Sequence, residues 1–557
     1  MAKKQTFVAK NLLLRRTYVY VVATFAVLFV LFCALGNVGV ILSVLNLGES
    51  QEIESRTQTI LEDEASTQQA SIDEATQKLT SEEGSSILLY GEGDVAELFA
   101  AQLFMSKHAY IDADSLDDVS SDVKIVMVSK EQLSTSEIET LTQLVESGVT
   151  LMLGQIPDDV QTNEALQELL GIEDVYGWED FTGLRTSEDF MDGVLIEDET
   201  RELSAWNLSL KQQTKIYACT LPDGYKDKDN EDLPAVAWRY VSGSGCGSVY
   251  VCNGDFMDSE VAYAIIPLVM RESQGSYLYP IVNAYCTFID GFPYIDNEDN
   301  EAWERLYSRD RLGIQQDMLM PEFERFASVY GATLTYFSDD YERLLSATSN
   351  DITYYTREID SQGAQLALRK DGNLYFTSVG DKVEITPWVA PYRLWDEENQ
   401  CYELPVNCVV KTSNYNTLPD LFCLASITGA LGYYCVSVDV DDFLDYDGTD
   451  AFWAQYTEQI EVLFGTHQRD YSWIERVTAN EALNRINKLL NLDVDIEYTD
   501  TEITADIANF DGEAWFMLRT GYEDLHIEGG TLEQIGEGVY FITATQEHVS
   551  LTWSDGL

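Results

Sequence analysis

From residue 17 to residue 47 the chain carries no charged side chain, and residues 1–16 hold Lys3, Lys4, Lys10, Arg15 and Arg16 with no acid. An apolar run of this length exceeds the roughly 20 residues that cross a bilayer as a helix. A basic flank stays on the cytoplasmic side. The run is also longer than the core of a cleavable signal, about 7–15 residues. Residues 1–16 are therefore expected to form a cytoplasmic tail and residues 17–47 a single uncleaved transmembrane anchor in the cell membrane. Everything after residue 47 is then extracellular. A cleaved signal peptide with a site near Ala34-Leu35-Gly36 is the competing reading.

The exterior this predicts is strongly acidic. Without the five bases of the tail it holds 29 Lys and Arg against 96 Asp and Glu, where the whole chain has a formal charge of −62. Such a field repels nucleic acid and anionic lipid and attracts cationic partners, among them an amine-bearing polysaccharide. Surface solubility accounts for the same charge without any ligand. Cys219, Cys246, Cys252, Cys286, Cys401, Cys408, Cys423 and Cys435 lie outside the anchor, an even number that suits disulfides. Most of them sit in apolar runs such as Val249-Tyr250-Val251-Cys252, so they read mainly as buried core thiols.

Residues 48–85 are polar, acidic and free of proline, with Ile53, Ile60, Leu61, Ile72 and Leu79 loosely at helical spacing, which predicts a helical stalk. Residues 86–272 alternate strand and helix. Ile87-Leu88-Leu89-Tyr90, Ile125-Val126-Met127-Val128 and Thr150-Leu151-Met152-Leu153 read as buried strands, and residues 134–147 as a helix capped by Ser134 or Ser136. The pattern predicts a parallel α/β sheet and resembles Rossmann and glutamine-amidotransferase-like domains. No cysteine lies between Ser85 and Cys219, so a nucleophile of that type is excluded. Gly91, Gly93 and Ala96 match a dinucleotide fingerprint in form only, since Glu92 and Asp94 would face the pyrophosphate. No cofactor is expected. A hairpin follows over residues 239–255. Residues 480–490 read as an amphipathic helix, and strand-like segments from 493 to 553 predict a small antiparallel β-sandwich over 476–557. Trp515, Phe516 and Trp553 are either core or a sugar-stacking face.

The middle of the chain, residues 273–475, carries the chemistry. Thr287-Phe288-Ile289-Asp290-Gly291 resembles the first motif of polysaccharide deacetylases, Thr-Phe-Asp-Asp-Gly, in which the first Asp is the general base and the second a metal ligand. Ile289 stands in the base's slot and cannot carry a proton. The family's metal-binding histidines align with Arg369 and Asn373, after Thr356-Arg357-Glu358-Ile359 and Gly363. A guanidinium has no lone pair for a metal. The four histidines are His108, His467, His526 and His548, and none falls between Cys286 and Asp442. Residues 432–444 resemble the late strand of deacetylase domains in Pel-type exopolysaccharide systems, with Asp439 and Val440 in place of the catalytic histidine and proline. Trp388-Val389-Ala390-Pro391-Tyr392-Arg393 resembles the family's arginine-bearing loop.

The resemblance implies a degenerate deacetylase-like (β/α) barrel. The expected fold is thus α/β plus β: anchor, α/β domain, barrel and sandwich. Catalytic candidates are Asp290, Asp439 and Asp441, and candidate ligand-binding residues are Arg369, Trp388, Tyr392 and Arg393. No metal is expected, with Asp290 as its ligand if one is present. The expected protein is a membrane-anchored and catalytically inactive component of an exopolysaccharide complex, binding polymer or membrane subunits. Two alternatives stay open. Asp290, Asp296, Asp339, Asp340, Asp439, Asp441 and Asp442 can form a rebuilt hydrolase or deacetylase site, since carboxylates suit hard cations or paired acid–base work. A surface sensor or adhesin is the other.

Overall fold

The computed structural model describes residues 85–553 except 118, 191–194, 223–224, 242–246, 259, 297–300, 371–372, 376–381, 388–401, 411–420 and 446–451. The expected tail, anchor and all but the last residue of the stalk lie outside the described residues, as do Trp388, Tyr392 and Arg393. Among the described residues no helix is long and apolar enough to cross a membrane.

Strand β1 (Ile87–Tyr90), helix α1 (Asp94–Met105), β2 (Ile111–Ala113), β3 (Ile125–Val128), α2 (Thr135–Glu146) and β4 (Thr150–Leu153) form the expected alternation. β1, β3 and β4 are apolar and buried throughout, as strands covered on both faces must be. α2 begins in a capping box: the Ser134 hydroxyl accepts from the Glu137 backbone N–H, and the Glu137 carboxylate accepts from that of Ser134 at 2.6 Å. Gly91 takes a φ of 134°, and a Cβ there would fall 2.3 Å from Ser129 Oγ, so the glycines after β1 serve a tight turn.

The sheet then departs from a wholly parallel Rossmann or amidotransferase-like plan. After α3 (Glu164–Leu170) come β5 (Ile172–Thr186), β6 (Glu197–Leu210), β7 (Thr214–Thr220), β8 (Ala235–Val241) and β9 (Ser248–Cys252). The strand order is β2-β1-β3-β4-β9-β8-β7-β5-β6; the first five run parallel and the rest antiparallel. β8 and β9 are the expected hairpin. β5 and β6 escape a reading by apolar runs because much of each is exposed and rich in acids. Helix α4 (Ile265–Gln274) is clasped to the antiparallel half by Glu272, which accepts from Tyr217 Oη at 2.5 Å, Tyr250 Oη at 2.8 Å and Arg239 Nη1 at 2.6 Å. Burial pushes this carboxyl up, but those bonds and the charges of Arg239 and Lys215 outweigh it and hold it below the usual range.

β10 (Ser276–Ile281) leads into the middle domain. There the strands are β11 (Ala284–Asp290), β12 (Leu334–Ser338), β13 (Gln365–Lys370), β14 (Asn373–Tyr375), β15 (Lys382–Pro387), β16 (Tyr402–Val406), β17 (Cys408–Val410), β18 (Tyr433–Asp439) and the short β19 (Arg476–Val477). The helices include α5 (Met320–Tyr330), α6 (Asn350–Ser361), α7 (Leu421–Leu431), α8 (Val440–Asp445), α9 (Phe452–Asp470) and α10 (Ala479–Asn491), besides other short helices. Hydrogen bonding runs β15-β14-β13-β12-β11-β18, with only β14 antiparallel to its neighbours.

The ring closes through residues 402–410. β16 pairs β15 in parallel and β17 pairs β18 in parallel. Asn407, between them, donates its backbone N–H to Cys435 O at 3.0 Å, and its side-chain oxygen accepts from Cys435 N at 2.8 Å. One extended stretch thus joins the two ends of the sheet and makes a barrel. Both faces of its strands are close-packed: Tyr285, Phe288, Ile289, Tyr336, Phe337, Val436 and Val438 belong to one buried cluster.

The last part is two four-stranded sheets. One has the order β20 (Asp493–Tyr498), β21 (Glu502–Ala508), β26 (His548–Thr552), β23 (His526–Glu528). The other runs β10, β22 (Ala514–Thr520), β25 (Val539–Ala544), β24 (Gly530–Gly536). β10 thus crosses from the chain before the barrel to pair antiparallel with β22, whereas the expected boundaries placed residue 273 onward in the barrel. In turn α10, expected to open the sandwich, is tied to the barrel: Arg485 donates to Asn283 O and Glu475 Oε2, each at 2.5 Å. Trp515, Phe516 and Trp553 are buried, so they are core and not a stacking face. The described cysteines (Cys219, Cys252, Cys286, Cys408, Cys423 and Cys435) are free thiols, all but Cys408 fully buried; Cys246 and Cys401 lie outside the described residues.

Candidate functional site: a carboxylate ring around Arg369

Parallel strands in register carry equivalent positions on one face, so adjacent strands that end in polar residues collect them at the C-terminal mouth of a barrel. Here β11 ends in Asp290, whose register partner on β18 is Asp439. Asp339 follows the last residue of β12, and Arg369 lies one residue before the end of β13. Asp441 comes from the first turn of α8, two residues past β18. Four neighbouring strands thus bring Arg369, Asp339, Asp290 and Asp439 to one rim, with Asp441 leaning in from above.

Arg369 is the hub. Its Nη1 donates to Asp441 Oδ2 and lies 3.5 Å from Asp339 Oδ2, while its Nε stands 3.2 Å from Asp290 Oδ1. The last is an ion pair without hydrogen-bond alignment, and Asp290 Oδ1 is buried with no hydrogen-bond partner. Arg311 adds a second cation, 3.8 Å from Asp441 Oδ1, its guanidinium stacked 4.6 Å over the Tyr294 ring. Gly291 permits the packing: at φ 75° it has no Cβ, and one placed there would fall 2.9 Å from Asp441 Cγ.

The loop after β11 is held on both sides. Phe292 and Pro293 are joined by a cis peptide. Phe292 N–H donates to Phe337 O at 2.9 Å, and the buried Gln315 amide both donates to Tyr294 O and accepts from Tyr294 N, each at 2.8 Å. Asp340 accepts from Ile295 N at 2.7 Å. Asp340 and Asp296 are paired with Arg343 at 2.7 and 2.8 Å, so these two belong to the loop scaffold and not to the ring around Arg369.

Burial pushes the Asp290 carboxyl up, Arg369 pulls it down, and the neighbouring Asp439 and Asp441 push it up again; the balance lifts it from an ordinary 3.8 to about 6. The folded chain therefore holds this proton more tightly than the unfolded chain. The resulting stability is fully present below about pH 4 and is lost as pH rises through about 6. Asp290→Asn is expected to remove this slope, raising stability at pH 7 relative to pH 4 by up to about 3 kcal/mol compared with the parent. Urea unfolding of both proteins at the two pH values checks it. An unchanged slope would show that Asp290 ionises normally.

The metal that the deacetylase resemblance implies does not fit these residues. A guanidinium already lies among the carboxylates, and among the described residues no group of three or more His, Cys, Asp and Glu side chains is arranged to hold a metal ion. Arg369 and Asn373 lie on consecutive strands of a hairpin, not on one helical face. His467 packs its ring 3.4 Å from that of Tyr285, near the opposite end of β11 from Asp290. Ile289, in the base's slot, is buried in the core. Sequence reasoning brought forward Asp290, Asp439, Asp441 and Arg369, and the fold unites them. Asp339 was only one of many acids and Arg311 was missed, since its signal is a lone Asp-Arg pair on a short helical turn.

Comparison with known proteins gives one family match and several solved structures. Residues 412–541 match the model of a family described as an uncharacterised protein conserved in bacteria (DUF2194). No curated protein matches the chain. Among solved structures the chain is similar to Agd3, described as a novel carbohydrate deacetylase, with 11% identity, a TM-score of 0.49, and coverage of 84% of this chain and 98% of that one. It is also similar to the exo-β-1,4-mannosidase Op5Man5 from Opitutaceae bacterium strain TAV5, with 15% identity, a TM-score of 0.24 and 34% of each chain covered. A β-galactosidase from Rahnella sp. R3 shows 12% identity and a TM-score of 0.25, over 35% of this chain and 34% of that one.

Proposed function

We propose that the protein is a membrane-anchored, extracellular component of an exopolysaccharide (Pel-like) biosynthesis and export complex. Its deacetylase-like barrel binds polymer or partner subunits and does not hydrolyse acetyl groups. The observation that carries this reading is Arg369, whose guanidinium lies between Asp290 and Asp441 at the mouth of the barrel. The sequence resemblance puts a metal-binding histidine at that position and a base at Ile289. With both chemistries replaced, what remains is a rim of four carboxylates and two guanidiniums, suited to hydroxyl and ammonium groups. The anchor and the export partners rest on residues 1–47 and on the order of the modules.

One observation favours a second reading. A carboxyl with a pKa of about 6 beside other carboxylates is poised as a general acid, as glycoside hydrolysis requires.

The test uses the full-length protein with acetylated and free glucosamine oligomers and added divalent ions. No acetate above the blank is expected, and Asp441→Asn should weaken binding of the free oligomer by about tenfold, the loss of one charge-assisted contact. Acetate release or chain shortening that disappears in Asp290→Ala would overturn the reading in favour of an enzyme. So would a stoichiometric bound metal lost in the same variant.

A further inference from the structure

Tyr176 and Trp178 are the two most exposed aromatic side chains among the described residues, at 61% and 52%. They stand two positions apart on β5, in the long ribbon that it forms with the outermost strand β6. Exposed apolar surface of this kind needs a reason, because burying an aromatic side chain is worth a few kcal/mol. The rings are also held in place. Trp178 packs edge-on against its register partner Trp206, with centroids 5.6 Å apart, and Tyr176 Oη donates to Ser209 Oγ at 3.4 Å. Their contacts on β6, Trp206 and Ser209, fall on either side of the bulge at Tyr176.

Beside Tyr176 runs a groove of about 690 Å³, lined by Tyr176, Asn207, Ser209, Gln212, Glu231 and Asp232, among others. The ribbon's two strands carry Glu173, Asp174, Glu179, Asp180, Glu197, Asp198, Glu199 and Glu202, against Arg185 and Arg201 alone. Arg185 is paired with Glu197 at 2.7 Å, and Lys211 in the groove with Glu168 at 2.6 Å, so two of the nearby cations are already neutralised. The free edge of β6 is closed where Asn253 accepts from Trp206 N at 3.0 Å and donates to Trp206 O at 2.9 Å. A partner strand cannot add there, which leaves the ring faces and the groove as the accessible features.

Aromatic faces attract ammonium groups, tryptophan most strongly, and carboxylates alongside add to that attraction. Flat rings also match the C–H faces of sugars, while the amides of Asn207 and Gln212 suit hydroxyls. We propose that the β5–β6 ribbon is a second glycan-binding surface, separate from the barrel mouth, which takes an amine-bearing polysaccharide on Trp178 and Tyr176 and in the adjoining acidic groove. That the ligand is a polysaccharide rests on the function proposed above; that it carries amines rests on the ribbon's own rings and charges.

Calorimetric titration of the full-length protein with a short glucosamine oligomer tests it. Trp178→Ala is expected to weaken binding by about tenfold or more, Trp178→Phe by less, and Tyr176→Ala by several-fold. Circular dichroism should be unchanged, since both side chains are exposed. The N-acetylated oligomer should bind more weakly, and a lysine oligomer should compete poorly. Wild-type affinity in both alanine variants would overturn the inference, as would equal binding of the acetylated oligomer; equal competition by the lysine oligomer would assign the surface to a cationic peptide instead. The two sites separate cleanly. Loss in Asp441→Asn with none in the ribbon variants upholds the barrel reading alone, and the reverse pattern upholds the ribbon alone.

Discussion

Replacing Ile289 by aspartate, the residue of the motif that this segment resembles, is expected to destabilise the fold by about 4 kcal/mol or more and to confer no acetate-releasing activity. The side chain is 1% exposed, in the middle of the barrel's parallel core, with Tyr336 on β12 and Val438 on β18 as register partners. Removing the isoleucine leaves a cavity worth about 2–5 kcal/mol. A carboxyl put there must also be desolvated without a partner, so it will stay protonated at neutral pH. Ile289→Val, as the control, should cost about 0.5–1.5 kcal/mol. Thermal unfolding and acetate release from an acetylated glucosamine oligomer measure the two halves of the expectation. A variant as stable as the parent that released acetate would mean position 289 faces the mouth, and the inactive reading would fail.

Arg369→Ala is the second large effect. The guanidinium is three-quarters buried and serves Asp290 and Asp441 directly, with the more exposed Asp339 at longer range. Removing one partner of a fully buried ion pair costs about 3–5 kcal/mol; less is expected here, because Asp441 is 39% exposed and partly screened, and the larger share comes from Asp290. Asp339 adds little because water screens it. Without Arg369 the proton on Asp290 is held more tightly still, since the charge that pulled it down is gone. The loss should therefore be largest at pH 7–8 and smaller near pH 5, where Asp290 takes up a proton in the variant. Arg369→Lys keeps the charge but not the fork that spans two carboxylates, and should recover only part of the loss. The variant should also gain a property the parent lacks. Carboxylates freed of their arginine suit a hard cation, so millimolar calcium should raise the melting temperature of Arg369→Ala and leave the parent unchanged. Equal stability of variant and parent at all pH values would remove Arg369 from the centre of the site.

How these residues meet was partly legible in the chain. The segment around Asp290 reads as a strand that ends in an acid and a glycine, and the segment around Asp439 as a strand that ends in an acid, so two strands with chemistry at their C-terminal ends could be inferred. Short apolar runs such as Ile87–Tyr90 and Ile125–Val128 were equally plain, because a strand covered on both faces needs little but aliphatic side chains. β5 and β6 were not legible. Their exposed, acid-rich positions break the apolar pattern, and a β-bulge at Tyr176 interrupts the alternation. β24 was hidden in the same way, lying between Gly530 and Gly536 with three of its seven residues exposed and none buried.

What the sequence determined by itself were the properties local to a few residues. Neither Ile289 nor Arg369 can serve as a base or a metal ligand whatever the fold, because no environment gives isoleucine a proton or a guanidinium a free lone pair. The acidity and the charge-free run over 17–47 are local in the same sense. The tertiary structure decided the rest, since it depends on pairings between distant segments. It closed the barrel through residues 402–410, carried β10 into a sheet with β22, and made Arg369 the cation that three carboxylates share. It also left Trp178 and Tyr176 in the open while burying Trp515 and Trp553. Three of them lie in strands and Trp553 directly follows one, and only the layer packed against each strand decides which face stays free to bind.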